Sequence, residues 1–155
     1  MQPVKTDNGR YRKYGYKLGV WYHNGHDYDC NLHEPVFSVA PGVVLYSSRN
    51  VNGFGGYDPS LPGGCVIIQH QGHEGGFIGL YGHVDSDLVL NEKVERGERI
   101  GRVHQYTSSG LKLPHLHFAI STESWAVVQV SKWGYVDRLE KYGWTDPQKY
   151  LSICC

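Results

Sequence analysis

The chain has 155 residues, 40% of them apolar and 19% charged, and its 15 basic and 15 acidic side chains cancel. That length suits one domain with a sizeable core, and the zero balance removes the electrostatic footprint of a nucleic-acid partner. No apolar run approaches the roughly 18 residues of a membrane span.

Twenty glycines and twelve tyrosines favour strands and turns over helices. The start, Met1-Gln2-Pro3-Val4-Lys5, has no apolar leader stretch. Residues 1–20 read as a polar, solvated N-terminal arm punctuated by Gly9, Gly15 and Gly19. Residues 20–30 are strand-like at both ends and broken by the turn dipeptide Asn24-Gly25. Residues 35–40 form a strand, Pro41-Gly42 turns it, and Val43-Val44-Leu45-Tyr46 returns. A Gly- and Pro-rich loop over about 50–64 carries Phe54 and Tyr57, aromatic residues placed to line the rim of a site. Residues 65–70 and 77–83 are hairpin partners across a Gly/His turn. Leu88-Val89-Leu90 is short and apolar, and residues 94–103 read as a turn followed by a strand. A second loop, 105–113, leads to a buried strand over 113–120. Residues 125–130 are expected as another strand and 135–142 as a short helix limited by Gly134 and Gly143. Asp146-Pro147 caps and starts a terminal helical turn. Many short strands with short turns and two long loops make an antiparallel β domain with little helix.

Nine histidines are the first sign of a metal or acid–base site. Four cysteines, Cys30, Cys65, Cys154 and Cys155, are too scattered for a disulfide scaffold, and no C-x-x-C pair offers a zinc site built on cysteine alone. Cys30 and Cys65 are expected to be unpaired buried thiols, with a bridge between them as the alternative in an exported protein. In Pro114-His115-Leu116-His117-Phe118 two histidines share one face of a strand, their Cα atoms about 6.5 Å apart. Both imidazoles therefore reach one small volume, and they need partners. His23-x-x-x-Asp27 offers two ligands. On a straight strand these would be about 13 Å apart, so the chain must bend, and Asn24-Gly25 tolerates the unusual backbone angles of a bend. His117 offers a third ligand, which leaves His115 and His83 beside a coordination position open to water.

His23-x-Gly25-x-Asp27, Val39-Ala40-Pro41-Gly42-Val43-Val44, Tyr81-Gly82-His83, Val94-x-x-Gly97-x-x-Ile100-Gly101 and His115-Leu116-His117-Phe118 occur in the order found in the lysostaphin/LytM-type zinc endopeptidases. The chain resembles that family over about residues 21–120, and in the Asp146-Pro147 segment. The resemblance implies a narrow groove over an antiparallel sheet with one zinc ion on its floor. It makes 1–155 a single domain, with residues 1–20 an arm, 21–120 the catalytic core and 121–155 a C-terminal extension. It implies His23, Asp27 and His117 as zinc ligands and His83 and His115 as catalytic residues. His115 is then the general base or the residue orienting the attacking water, and His83 the donor to the oxyanion, with the assignment between the two left open. The implied substrate is a peptide of peptidoglycan, in a cross-bridge or a stem. The implied setting is secreted, periplasmic or at the cell envelope, with any leader outside this sequence, and the protein is expected to be a monomer.

Three departures from the family pattern stand out. His26 replaces a usually apolar residue and is expected to point away from the metal. Ala119 replaces a frequent acidic residue. Residues 107–113 replace a Gly-rich approach to His-x-His and alter a groove wall. His33, His70, His73 and His104 have no motif partner and read as surface or turn residues. Asp29 reads as solvated or as an acceptor behind the site. The alternative reading is a relative that has lost catalysis and serves as a binding or regulatory module for cell-wall amidases. A dipeptidase or carboxypeptidase of the D-alanyl-D-alanine type would need a longer His-to-Asp spacing and a Glu before the last ligand, and neither is present.

Overall fold

Alternation of side chains explains the main sheet of the computed structural model, which describes residues 1–9, 12–54, 62–72, 75–104 and 114–154. In strands β6 (Pro62–His70), β7 (Phe77–Gly82) and β11 (His115–Ser121), successive residues go to opposite faces. Val66, Ile68, Phe77, Tyr81, Leu116, Phe118 and Ile120 join one core cluster. Cys65, Ile67, Ile78, Leu80 and Ala119 join a second. Both faces are covered, which is why these strands read as nearly continuous apolar runs.

The other strands are β1 (Lys17–Leu18), β2 (Trp21–His23), β3 (His26–Asp29), β4 (Pro35–Phe37), β5 (Gly42–Asn52), β8 (Val84–Asp85), β9 (Lys93–Val94), β10 (Arg99–Val103), β12 (Tyr135–Val136) and β13 (Trp144–Thr145). The main sheet runs β13-β11-β7-β6-β5-β9, with β3 also paired to β11. All its pairings are antiparallel, as expected. Two smaller antiparallel sheets run β1-β2-β12 and β4-β10-β8. Helix α1 (Trp125–Val128) contributes Val128 to the second cluster, and α2 (Pro147–Cys154) contributes Leu151 to the first.

The structure corrects several sequence expectations. Residues 125–128 form a helical turn and not a strand: Val127 and Val128 donate to the Ser124 carbonyl, and Val128 is fully buried. The need to place one apolar residue under the second face outweighs the β preference of Trp-Ala-Val-Val. Residues 135–142 split into β12 and a 3-10 turn, Glu140–Tyr142, stopped by Gly143 at φ 64°. Strand β5 runs on to Asn52 and β6 starts at Pro62, so the loop between them is shorter than expected. Register shifts at Val44/Tyr46 and Ser48/Val51 bend the hairpin without ending it. The short apolar run Leu88-Val89-Leu90 exposes Val89 and Leu90. Tyr57, His73 and the 105–113 loop lie outside the described residues. Cys30 and Cys65 are buried and unpaired, and burial pushes the Cys30 thiol up to about 12.

His70 is buried, not a surface residue. Its Nδ1 donates to the Ala40 carbonyl (2.9 Å), and its Nε2 meets the Tyr81 hydroxyl (2.9 Å), which also accepts from the Val39 amide (3.3 Å). This network ties the β4–β5 turn to β6 and β7. Burial pushes the His70 imidazole down to about 4. The folded pKa is depressed below the ordinary 6.5, so the stability it contributes is complete above about pH 6.5. That stability is lost as the pH falls through the folded value, a loss of about 3 kcal/mol. A His70→Asn variant, compared with wild type by urea unfolding at pH 7 and pH 4, is expected to show a shallower acid decline. Equal declines in both proteins would refute this.

Candidate metal centre

Register puts the site together. In the β3–β11 ladder His117 is directly opposite Asp27, and His115 is opposite Asp29. His23 ends β2, and the bend at Asn24-Gly25 brings it back to Asp27 four residues on. That bend uses no left-handed backbone at either residue. Gly25 is required by space: a Cβ there would lie 2.5 Å from the Phe118 carbonyl oxygen and 2.9 Å from His117 Cε1.

Three atoms converge. His117 Nδ1 lies 3.0 Å from His23 Nε2 and 2.9 Å from Asp27 Oδ1, and His23 Nε2 lies 3.1 Å from that oxygen. All three side chains are buried. The far nitrogens fix the tautomers. His23 Nδ1 donates to the Lys13 carbonyl (3.1 Å), and His117 Nε2 donates to Asn24 Oδ1 (3.0 Å). In the neutral imidazole form each near nitrogen then presents a lone pair. Burial pushes His117 down to about 4. Burial alone would raise Asp27, but His117 and His23 at its Oδ1 outweigh that and hold it well below the ordinary carboxylate range. Two lone pairs and an ionised oxygen facing one another about 3 Å apart need a proton or a cation between them.

The residues fit a divalent cation. Among the described residues, His23, Asp27 and His117 are the one group of three or more potential ligands whose donor atoms converge. Around a tetrahedral zinc with bonds of about 2.0–2.1 Å, ligand–ligand edges are about 3.3 Å, a few tenths of an ångström from those observed. The hydrogen bonds from Lys13 and Asn24 orient the rings as outer partners of metal ligands do.

His83 and His115 flank this triad, their ring centroids 4.3 Å apart. His83 sits at φ 61° between β7 and β8, a left-handed conformation that non-glycine residues adopt at a cost and that clusters at functional sites. Its Nδ1 donates to the Phe54 carbonyl (2.8 Å), and burial, then His115, push it well below 6.5. In that neutral form Nε2 is left as the acceptor nitrogen. His115 Nε2 lies 4.0 Å from Asp27 Oδ2, with its side chain 12% exposed. Phe54, expected at a rim, lines the groove and is buried there, its ring packed on the Gly82 backbone beside His83 and His117. His26 points away and meets Asp7 Oδ2 at 3.0 Å. Asp29 is buried, not solvated.

The triad opens into a groove of about 920 Å³, at the upper end of ligand-pocket sizes. Its walls come from Arg12 and Leu18, from 51–54, and from 129–135. The N-terminal arm is therefore part of the site: the Arg12 carbonyl accepts from the Asp27 amide (2.8 Å), and the Lys13 carbonyl holds His23. Sequence reasoning missed Arg12, Lys13, Tyr135 and the second role of Asn24. Main-chain carbonyls leave no residue-type signal, and Tyr135 is one tyrosine among twelve.

The sequence model of Peptidase family M23 matches residues 21–129. Lipoprotein NlpD of Yersinia enterocolitica is 33% identical over 88 residues, a stretch that is 56% of this chain and 76% of that protein. The catalytic domain of the antimicrobial peptidase lysostaphin from Staphylococcus simulans superposes with a TM-score of 0.60 at 21% identity, covering 92% of this chain and 90% of that one. A catalytic domain of the prophage-encoded M23 protein EnpA from Enterococcus faecalis gives 0.57 at 20% identity, covering 90% and 98%. These solved structures share the fold.

Proposed function

Because the chain belongs to Peptidase family M23, we propose that it is a zinc endopeptidase that hydrolyses peptide bonds in peptidoglycan at the cell envelope. The observation that carries this reading is the His23–Asp27–His117 triangle, with both imidazole tautomers set so that their lone pairs face the carboxylate. Zinc held there would polarise the scissile carbonyl and acidify a water. The chain's own residues supply the rest. Lys13 and Asn24 keep the ligand rings oriented. Phe54 holds the His83 proton on Nδ1, so His83 Nε2 accepts the proton of the attacking water and returns it to the leaving amine. His115 is left to donate toward the developing oxyanion. This takes one of the two assignments that the sequence leaves open, because a neutral His83 bonded to Phe54 has no second N–H to give. The groove walls position an extended peptide across both histidines.

The test is chelation and reconstitution. Chelator-treated protein is expected to release no peptides from purified peptidoglycan, and one equivalent of zinc to restore release. Zinc bound at one per chain without release from any wall type would instead leave a wall-binding module.

A further inference from the structure

Among the described residues that line the groove, the charged side chains besides histidine are Arg12, Lys132 and Asp27. Asp27 is already committed to the triad. What remains is cationic, and it includes an arginine that is held in place. The Arg12 guanidinium lies 5.0 Å from the Tyr16 ring centroid and 5.7 Å from that of Tyr135. Its Nη1 donates to the Tyr135 hydroxyl, and the Tyr135 ring lies 5.1 Å from that of His23. Arg12 is thus clamped between two aromatic rings, one tyrosine away from a residue of the triad. A planar fork of five N–H donors, restrained before binding, suits a carboxylate more than any neutral peptide group. Lys132 is exposed and is not restrained in this way: its Nζ lies 4.4 Å over the Trp21 ring.

We propose that Arg12 reads a carboxylate on the substrate next to the scissile bond, so that the groove selects acid-bearing stem peptides over neutral glycine bridges and amidated stems. This rests on the reading of the groove as a peptidoglycan-peptide site. The carboxylate accepts from the guanidinium while the peptide runs past His23 toward His83 and His115. Tyr135 positions Arg12, and Tyr16 covers its other side.

The test is equilibrium binding, which does not depend on turnover. Two synthetic stem peptides are compared, identical but for one free carboxylate or carboxamide, on zinc-loaded wild type, Arg12→Gln and Arg12→Lys. Wild type is expected to bind the acid about 10–100-fold more tightly than the amide, the span of a charged hydrogen-bond pair. Arg12→Gln is expected to reduce that ratio to near one, and Arg12→Lys to leave an intermediate ratio because the charge stays and the fork is lost. An acid-to-amide ratio near one in wild type overturns the proposal on its own, even if the variants fail to fold. A full ratio retained in Arg12→Gln also overturns it, since the carboxylate is then read elsewhere, by the metal included. Peptide cleavage in the same samples reports on the hydrolase reading separately.

Discussion

A His117→Ala variant is expected to purify without stoichiometric zinc and to release no peptides from peptidoglycan, while a His83→Ala variant keeps its zinc and loses turnover. His117 supplies one of three converging donor atoms, 3.0 Å from the His23 donor and 2.9 Å from the Asp27 donor. Changes to residues that only orient a ligand already cost about 10–100-fold in metal affinity, so loss of a ligand is expected to exceed that. Zinc should raise the thermal midpoint of wild type by mass action and leave that of His117→Ala unmoved. The His83 side chain is held by the Phe54 carbonyl and packs against the Phe54 and His115 rings, and it is not one of the three converging donors. Its removal is expected to lower kcat by about 10²–10⁴, the usual worth of a positioned acid–base group. Elemental analysis and muropeptide release on the two variants separate holding the metal from moving the proton. A His117→Ala protein with one zinc per chain and full release would end the assignment.

The sheet was legible in the sequence because its signals are local. Period-2 alternation marks β6, β7 and β11, and Asp146-Pro147 marks the start of α2, where Asp146 Oδ1 accepts from the Gln148 amide at 3.0 Å. The convergence of His23, Asp27 and His117, with His83 beside His115, was expected for a different reason: the order of their motifs resembles that of the lysostaphin/LytM-type zinc endopeptidases. What could not be read came from tertiary contact. His70 looks like any polar residue at a strand end, and only the Ala40 carbonyl and the Tyr81 hydroxyl make it a core residue. Residues 125–128 look like a strand and turn helical to deliver Val128 to the second core. Arg12 belongs to a stretch whose composition says solvated arm. Its place in the groove follows from main-chain bonds between the arm and the ligand-bearing strands, from the His23 amide to the Tyr16 carbonyl and from the Asp27 amide to the Arg12 carbonyl.

Gly25→Ala is expected to be the most damaging single methyl added near the site. The sequence argument for this glycine was backbone freedom, since a bend has to bring His23 and Asp27 together. The structure gives a different reason, because Gly25 is not among the residues with positive φ, and alanine meets no intrinsic backbone penalty there. The obstacle is the neighbour: β11 passes so closely that the new Cβ would stand 2.5 Å from the Phe118 carbonyl oxygen and 2.9 Å from His117 Cε1. That carbonyl belongs to a strand paired on both sides, with β3 and with β7, so it cannot rotate away cheaply. Either β3 separates from β11, which moves Asp27 from His117, or the His117 ring turns, which breaks its bond to Asn24 and re-aims Nδ1. Both outcomes open the ligand triangle. Overpacking of this kind costs about 1–3 kcal/mol of stability, and misplacement of the ligands should weaken zinc binding by at least the 10–100-fold seen when ligand orientation is lost. Asn24→Ala separates the two effects, because it removes the acceptor from His117 Nε2 without adding bulk. It is expected to weaken zinc binding while avoiding the overpacking cost. Competitive zinc titration and urea unfolding of the two variants decide the matter, and zinc affinity within twofold of wild type in Gly25→Ala would show that the strands part at this point without disturbing the ligands.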